Sequence, residues 1–303
     1  MKFLKPFVLG VAGDSGSGKD TYCDSVSAIF GSDNVSILSG DNYHLWEREK
    51  PVWRIMTPLN PMANDLERFS TDLLSLVSGN SIEFREYDHK TGQMAGVSLI
   101  DPNPIILVGG LHALYLPAMW EQYDFKVYLE TDEKLRRYFK IRRDVLERGH
   151  RIDEVLNALS RRESDAVDFI KPQRKNADLV FSLELLGSLR EDDKSLQSVP
   201  LKLVAEYSGA FNLSRLAEVL AHESTLAVDS GLSGDDGYPF IKIIGVINSD
   251  VCARARAEIF GSQLNATGYT PAWRDGPSGL MQILTLALVL PIIEKLNGGE
   301  SES

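Results

Sequence analysis

The chain has 303 residues, 43% of them hydrophobic and 25% charged, which is the composition of a globular protein large enough for a sizeable core. A formal net charge of −11 argues against a nucleic-acid or anionic-membrane partner, because both bind clustered lysine and arginine. Cys23 and Cys252 stand far apart and lack metal-ligand spacing, which favours a reducing cytoplasmic location.

Short apolar runs alternate with helical patterns over residues 1–186, which predicts an α/β domain: a mostly parallel sheet with helices on both faces. We expect strands at 7–12, 35–38, 105–108, 125–129 and 177–183, and helices at 18–30, 65–78, 132–148 and 152–169. Ligands of such sheets bind beyond the carboxyl ends of the strands. The segments that follow the first three strands are therefore expected to meet there: 13–19, 41–44 and 109–112.

A glycine-rich turn links the first strand to the first helix: Gly13-Asp14-Ser15-Gly16-Ser17-Gly18-Lys19. Such a turn points several backbone N–H groups at one phosphate, and the positive end of the helix dipole adds to them. The spacing of Gly13, Gly18 and Lys19 is that of a P-loop, in which the lysine binds the outer phosphates. The pattern predicts a nucleoside triphosphate site that extends through Asp20 and Thr21.

Five further segments carry distinctive residue combinations: Gly40-Asp41-Asn42-Tyr43-His44, 57–64 (Thr-Pro-Leu-Asn-Pro-Met-Ala-Asn), 87–92 (Tyr-Asp-His-Lys-Thr-Gly), 110–112 (Gly-Leu-His) and 143–150 (Arg-Asp-Val-Leu-Glu-Arg-Gly-His). In this order the chain resembles the phosphoribulokinase and uridine kinase family. Segments 57–64 and 87–92 resemble phosphoribulokinase more, because uridine kinases carry different residues there. The resemblance implies a P-loop kinase fold, ATP and Mg²⁺ as cofactors, and a phosphorylated pentose as the phosphoryl acceptor.

Phosphoryl transfer to a hydroxyl needs alignment, charge neutralisation and a carboxylate that accepts the hydroxyl proton. Asp41 follows a buried strand at the P-loop edge of the sheet and matches the family's catalytic aspartate. We therefore predict that Asp41 is the base and that Lys19 is the second catalytic residue. The alternative for Asp41 is a structural role as the cap of a turn or of the following helix.

The resemblance implies that His44 and Arg48 bind the sugar phosphate, the arginine through a fork suited to phosphate oxygens. On a helical turn their spacing would place both on the same side as Asp41. A solvated position in the charged run 47–50 is the alternative for Arg48.

Tyr87, His89 and His112 lie in matched segments, and we assign them to the substrate site. The alternatives are a structural hydrogen bond for each histidine and packing with a polar tip for Tyr87. The arginine-rich segment 140–162 resembles the family's lid, which supplies cations and excludes water.

Within the lid, the resemblance implies that Arg143 and Arg148 bind the nucleotide and that Arg162 binds the substrate. Interleaved acidic residues predict solvated ion pairs for most of the other arginines.

Two departures from the family pattern concern the metal. Asp20 stands where the P-loop has a hydroxyl residue, and Gly109 stands where the family has a glutamate before Gly-Leu-His. In one interpretation Asp20 replaces the lost carboxylate and ligates Mg²⁺ with Asp41, because Mg²⁺ prefers hard oxygen ligands near phosphates. In the other, the site has decayed and the protein is a catalytically impaired nucleotide-binding regulator.

The remaining third is predicted to be a linker, 187–200, and a smaller α+β appendage, 201–303. We expect strands at 201–207 and 240–246, helices at 213–222 and 249–264, and a loop at 229–237. Segment 280–296 is almost entirely apolar but is shorter than the ~20 residues of a spanning helix, so we expect a buried helix or a homodimer contact.

Together these patterns favour an ATP-dependent small-molecule kinase resembling phosphoribulokinase, whose partner is a small phosphorylated sugar or polyol. Neither nucleic acid nor membrane is expected as a partner. The alternatives are a nucleoside or other sugar kinase of the uridine kinase type and the impaired nucleotide-binding regulator.

Overall fold

The computed structural model describes residues 5–187, 201–209, 211–233, 237–261 and 271–298. The strands within these ranges are β1 (Phe7–Gly13), β2 (Val35–Ser39), β3 (Ile82–Asp88), β4 (Gln93–Ile100), β5 (Ile105–Gly109), β6 (Phe125–Thr131), β7 (Leu179–Leu185), β8 (Leu201–Tyr207), β9 (Leu226–Ser233) and β10 (Tyr238–Gly245). The helices are α1 (Lys19–Phe30), α2 (Leu66–Val77), α3 (Pro117–Trp120), α4 (Glu133–Ile141), α5 (Ile152–Asp165), α6 (Ser214–Ala221), α7 (Ser249–Phe260) and α8 (Pro277–Gly298).

The main sheet has eight strands in the order β2-β5-β1-β6-β7-β8-β10-β9. The first five are parallel, and the last three join in antiparallel pairs. Every residue of β1 is buried, as expected for a central parallel strand that is covered on both faces. The predicted α/β architecture is confirmed.

Helices cover both faces of this sheet. On one face, apolar residues of α1 and α8, such as Val26 and Ile283, join the inward residues of the strands in one core. On the other face, α2 contributes Phe69 and Leu73 and α3 contributes Met119 to a second core. Residues that follow β1 and β2 and the end of β5, such as Lys19, Asp41 and Gly109, line one pocket at the edge of the sheet.

The C-terminal third has the predicted α+β character, and its three strands extend the main sheet. The loop predicted at 229–237 is wrong over its first part, because β9 runs to Ser233 and pairs with β10, with Asp229 opposite Lys242. The predicted linker lies almost entirely outside the described residues, as does the end of the helix predicted at 249–264. The division into two domains stays a prediction.

Helix α8 is longer than its apolar core suggested, with 22 residues and Pro291 inside it. By length and composition it could cross a membrane, but 61% of its most apolar window is buried within the fold. Tyr22 of α1 bonds Thr285 of α8 through their hydroxyls (2.8 Å), and Gln282 of α8 donates to the Ser25 carbonyl (2.7 Å). The buried-helix prediction is confirmed, and the homodimer contact stays a prediction.

Two features near the pocket differ from the sequence prediction. β3 and β4 form a separate two-stranded hairpin that was not predicted, and its turn contains Gly92 in the left-handed region (φ +73°).

The helix predicted at 132–148 is α-helical only to Ile141 and continues as a wider π-helical turn, Arg142–Glu147. This turn and α5 form the two arms of the lid.

Candidate active site

A pocket of about 670 Å³ opens at the carboxyl ends of β1, β2 and β5. The P-loop forms one side, the segment after β2 and the β3–β4 hairpin form the other, and the lid covers both. Its size is that of a small-ligand site, and its position is the one expected for an open parallel sheet.

The P-loop has the conformation that its glycines predict. Gly16 and Gly18 have φ of +89° and +88°, a region that side-chain-bearing residues rarely adopt. Six of the nine residues of the segment from Gly13 to Thr21 line the pocket: Ser15, Gly16, Gly18, Lys19, Asp20 and Thr21. The Lys19 ammonium donates to the carbonyls of Gly13 (2.9 Å) and Asp14 (3.0 Å).

The other three P-loop residues do not line the pocket. Gly13 and Asp14 offer carbonyls to Lys19, and the Asp14 carboxylate pairs with Arg136 of α4 (3.1 Å). The Ser17 hydroxyl is buried and has no hydrogen-bond partner among the described residues. These three residues therefore belong to the loop structure without lining the pocket.

Asp41 lies in a short 3₁₀ turn, Gly40–Tyr43, at the end of β2. Its carboxylate oxygens contact the Nε2 atoms of His89 (3.1 Å) and His44 (3.8 Å). Burial acts to raise the pKa of Asp41, but the hydrogen bond from His89 and the charges of His44, His89 and Lys19 outweigh it and hold the pKa well below its usual range. Asp41 is therefore ionised at neutral pH and faces the pocket.

His44 is oriented by the 57–64 segment. Its Nδ1 atom bonds the Asn64 side-chain oxygen (2.7 Å), and the Asn64 amide nitrogen donates to the carbonyls of Pro58 (3.0 Å) and Asn60 (2.9 Å). This segment thus fixes the ring whose other nitrogen faces Asp41. The helical turn expected to extend from Asp41 to Arg48 is wrong, because the backbone becomes extended at His44.

Arg48 nevertheless reaches the pocket wall and is half-buried, so it is not a solvated member of the charged run. Its guanidinium donates to the His89 carbonyl (2.6 Å) and to Nε2 of His150 in the lid (3.2 Å). Its backbone N–H donates to the Gly92 carbonyl (2.8 Å). The hairpin turn and the lid therefore hold this side chain from two sides.

Two of the three remaining predicted substrate residues are in the pocket. Tyr87 packs edge-on against both His44 and His89, with ring centroids 5.2 Å apart in each pair. His112 does not line this pocket: it is buried behind the wall and bonds the Leu59 carbonyl (2.9 Å). Burial lowers the pKa of His112 to about 4, so its ring is neutral at neutral pH.

The three predicted lid arginines line the same pocket as the P-loop. Arg143 and Arg148 both line the pocket, and each bonds Asp144 Oδ1 (3.1 Å). Arg162 also lines the pocket and contacts the Ser15 hydroxyl (3.4 Å). Of these three arginines, Arg162 contacts the P-loop directly, and Arg143 and Arg148 are held by Asp144.

Lys140 is a pocket residue that the sequence analysis missed. Its side chain is 4% exposed and bonds the Ser15 hydroxyl (3.1 Å) and Asp144 (3.3 Å). Burial lowers the pKa of Lys140 to about 7; the charge of Arg162 adds to this effect, and Asp144 opposes it. The four-residue spacing from Lys140 to Asp144 was a usable signal, because it places the two on one helix face.

The residues present fit a metal that arrives with a phosphate ligand. Asp20 and Asp41 both line the pocket, but no group of three or more potential ligands close enough to hold a metal occurs among the described residues. Mg²⁺ at phosphate sites takes one or two carboxylates and completes its shell with phosphate oxygens and water. This set is therefore suited to a chelated nucleotide.

Comparison with known proteins identifies the family. A model of the Phosphoribulokinase / Uridine kinase family matches residues 8–184, which include the P-loop, Asp41 and the lid. The chain belongs to this family.

The similar proteins include both phosphoribulokinases and uridine kinases. A phosphoribulokinase of Synechocystis is 34% identical over 197 residues, which are 65% of this chain and 59% of that protein. A uridine kinase of Chloroflexus aurantiacus is 30% identical over 183 residues, 58% of this chain and 86% of that protein. The match thus spans only about three fifths of the phosphoribulokinase.

A solved phosphoribulokinase structure from Rhodobacter spheroides has the same fold. The TM-score is 0.61, and the alignment covers 87% of this chain and 97% of that one at 16% identity. The structural alignment covers more of the chain than the family match does, so the shared fold reaches into the C-terminal strands. At 16% identity this similarity concerns the fold alone.

Proposed function

We propose that this protein is an ATP-dependent kinase that transfers the γ-phosphoryl group to a hydroxyl of a phosphorylated pentose or a related polyol phosphate. The observation that carries the proposal is one pocket in which an ionised Asp41 faces the P-loop Lys19, with Arg48 beside them. Family membership supports a phosphotransferase. A cytoplasmic location and a small-molecule partner accord with the composition.

On the donor side, the P-loop amides and Lys19 would bind the triphosphate. Lys140, Arg143 and Arg162 extend from the lid towards the same loop and would neutralise charge that develops on the transferring group. Asp20 and Asp41 would hold Mg²⁺, which would offset the negative charge of the phosphate groups. Lid closure keeps water from the transferring group.

On the acceptor side, Asp41 accepts the proton of the attacking hydroxyl at a carboxylate oxygen. His89 and His44 orient that carboxylate, and Tyr87 packs between the two rings. The low pKa of Asp41 keeps it in the form that hydrogen-bonds the hydroxyl throughout the physiological range. The base is therefore both positioned and ionised before the acceptor arrives.

The charge of the acceptor side favours an anionic acceptor over a nucleoside. Arg48 is half-buried there, its hydrogen-bond partners are carbonyls, the His150 ring and the Tyr87 side chain rather than a carboxylate, and Arg148 lies across the same pocket. A phosphate group would neutralise Arg48 with a two-pronged contact, whereas a neutral nucleoside would leave its charge without a counter-ion. This contrast supports a phosphorylated acceptor.

The test is ATP consumption with Mg²⁺ across sugar phosphates, sugars and nucleosides, with Asp41→Asn and the surface control Asp33→Asn. We expect turnover with a pentose phosphate and a fall in kcat of about 10²–10⁴ in Asp41→Asn, the range for loss of a catalytic base. Turnover with nucleosides alone would indicate the uridine kinase type. Nucleotide binding without turnover of any acceptor would indicate the impaired regulator, which the departures at Asp20 and Gly109 favour.

A further inference from the structure

Asp20 is a carboxylate beside the phosphate cradle that no protein cation contacts. It is exposed in the first turn of α1 and lines the pocket next to Lys19. No hydrogen bond or ion pair among the described residues involves its side chain. The adjacent Lys19 ammonium is instead bonded to the carbonyls of Gly13 and Asp14.

The other acidic side chains of the pocket either have ion-pair partners or lie away from the P-loop. Asp41 is paired with His89, and Asp144 is paired with Lys140, Arg143 and Arg148. Glu154 is exposed on lid helix α5 rather than beside the P-loop. Asp20 is therefore the acidic group of the P-loop helix itself that remains available to a ligand.

The lid does not supply the missing partner. Arg148 lies across the pocket, where burial lowers the pKa of its guanidinium and the charge of Asp20 opposes that shift. The hydrogen bond that Arg148 makes, however, is to Asp144 (3.1 Å). Asp20 thus acts on Arg148 only through space.

The end of β5, which lines the same pocket, carries no side chain and has little room for one. Gly109 lines the pocket, and a Cβ atom added there would lie 3.1 Å from the Cys23 sulfur. Cys23 is buried on α1, three residues after Asp20. A glutamate or aspartate at position 109 would therefore press on a packed thiol, and the helix side is the one that carries the acid.

Whether Asp20 favours or opposes nucleotide binding depends on whether the nucleotide carries a divalent cation. Beside a bare triphosphate, a carboxylate adds like-charge repulsion to a site that must bind an anion. Beside a chelated triphosphate, the same carboxylate is a hard oxygen ligand for the divalent cation. The same residue would then weaken the binding of the free triphosphate and strengthen the binding of the chelated one. Selectivity between two ligands commonly combines repulsion of one with attraction of the other.

We propose that Asp20 makes nucleotide binding conditional on a divalent cation: it repels the free triphosphate and ligates the cation of the chelated one. The inference rests on the proposed nucleotide site and adds its selectivity. It assigns to Asp20 a function that a P-loop hydroxyl at the same position could not perform, because a neutral hydroxyl does not repel the free triphosphate.

The test is titration calorimetry with a non-hydrolysable ATP analogue, in EDTA and again in excess Mg²⁺, with Mn²⁺ uptake followed by electron paramagnetic resonance. Asp20→Asn removes the charge and keeps the size. Asp24→Asn is the matched control, because Asp24 lies one turn further on α1, exposed and outside the pocket lining. None of these readouts requires turnover.

In the wild type we expect much tighter binding with Mg²⁺ than in EDTA. In Asp20→Asn we expect binding in EDTA to strengthen about tenfold and binding with Mg²⁺ to weaken about tenfold, the scale of one charge pair between the limits of water and a protein surface. The Mn²⁺ signal of the ternary complex should weaken in parallel. Asp24→Asn should keep the wild-type ratio.

An unchanged ratio in Asp20→Asn, or equal weakening in both conditions, would overturn the inference while the kinase proposal stands. Equal weakening would mean that Asp20 acts through the loop or the lid. If the wild type binds neither form of the analogue, the proposed function fails and this inference fails with it.

Discussion

Arg48 and His150 are 102 positions apart in the chain, and a contact of 3.2 Å joins Nη1 of Arg48 to Nε2 of His150. A guanidinium can only donate, so His150 Nε2 is the acceptor of this hydrogen bond. Because His150 lies at the lid tip and Arg48 is bonded to the hairpin turn, the contact links the lid to the acceptor side of the pocket.

This contact predicts opposite outcomes for two substitutions of His150. His150→Gln keeps an acceptor for Arg48 and should leave the acceptor KM near the wild-type value. His150→Lys places two cations together and should raise that KM about tenfold through like-charge repulsion. Steady-state kinetics with the acceptor varied would check this, with exposed His222→Lys as the control. Equal KM values in His150→Gln and His150→Lys would contradict a role for the contact.

Gly92 predicts a local effect on the same arginine. It has φ +73°, and a Cβ atom there would lie 2.5 Å from the Arg48 Cβ. Gly79 has a similar φ, +83°, with nothing within 4 Å. Gly79→Ala should cost about 1–2 kcal/mol of unfolding free energy, and Gly92→Ala should cost more because its Cβ also meets the Arg48 side chain. Only Gly92→Ala should also raise the acceptor KM. Steady-state kinetics and thermal unfolding of both variants would check this. The same KM in both variants would mean that the turn does not position Arg48.

Lys140 predicts a pH dependence of stability. Its pKa is lowered from 10.5 to about 7 by burial, so between these values the unfolded chain binds more protons than the native protein. The free energy of unfolding should therefore gain up to about 1.4 kcal/mol per pH unit from this residue as the pH rises through that window. Denaturant unfolding of Lys140→Met should lack this contribution, whereas the exposed control Lys134→Met should retain it.

The same lysine predicts proton uptake when the nucleotide binds. A triphosphate next to Lys140 favours its charged form, so at pH 8 binding should take up close to one proton, and at pH 6 almost none. Calorimetry in buffers of different ionisation enthalpy would measure this uptake. If Lys140→Met takes up as many protons as the wild type, another group is responsible.

The Tyr22–Thr285 hydrogen bond predicts non-additive stability effects. Both hydroxyls are buried, so Tyr22→Phe or Thr285→Val leaves one of them without its side-chain partner and should cost about 1–3 kcal/mol. The double variant removes both groups and should cost less than the sum of the two changes. Urea unfolding of all three variants would check this, and strictly additive losses would contradict it.

Much of the pocket could be predicted from sequence because its parts are set locally. The P-loop conformation follows from Gly16 and Gly18, which tolerate positive φ without any distant contact. Asp41 comes directly after a strand whose apolar run predicts burial. The β3–β4 hairpin could also have been found, because its strands flank a turn that contains Gly92.

Other parts required the tertiary structure because they depend on contacts between distant segments. His112 sits in a matched motif like His89, yet only the fold turns one ring to the Leu59 carbonyl and the other to Asp41. β9 is an edge strand held by backbone hydrogen bonds to β10, so its polar sequence shows little strand pattern.

The sequence by itself determined the α/β class, the P-loop and the place of Asp41 at the end of a buried strand, since short-range spacing and glycine conformation specify them. Only the tertiary structure decided that Lys140 is buried with its amine on Ser15, that Arg48 contacts His150, and that the Cys23 sulfur lies against Gly109 at the end of β5. Each of these depends on how helices pack across the sheet, which is a property of the whole chain rather than of any one segment.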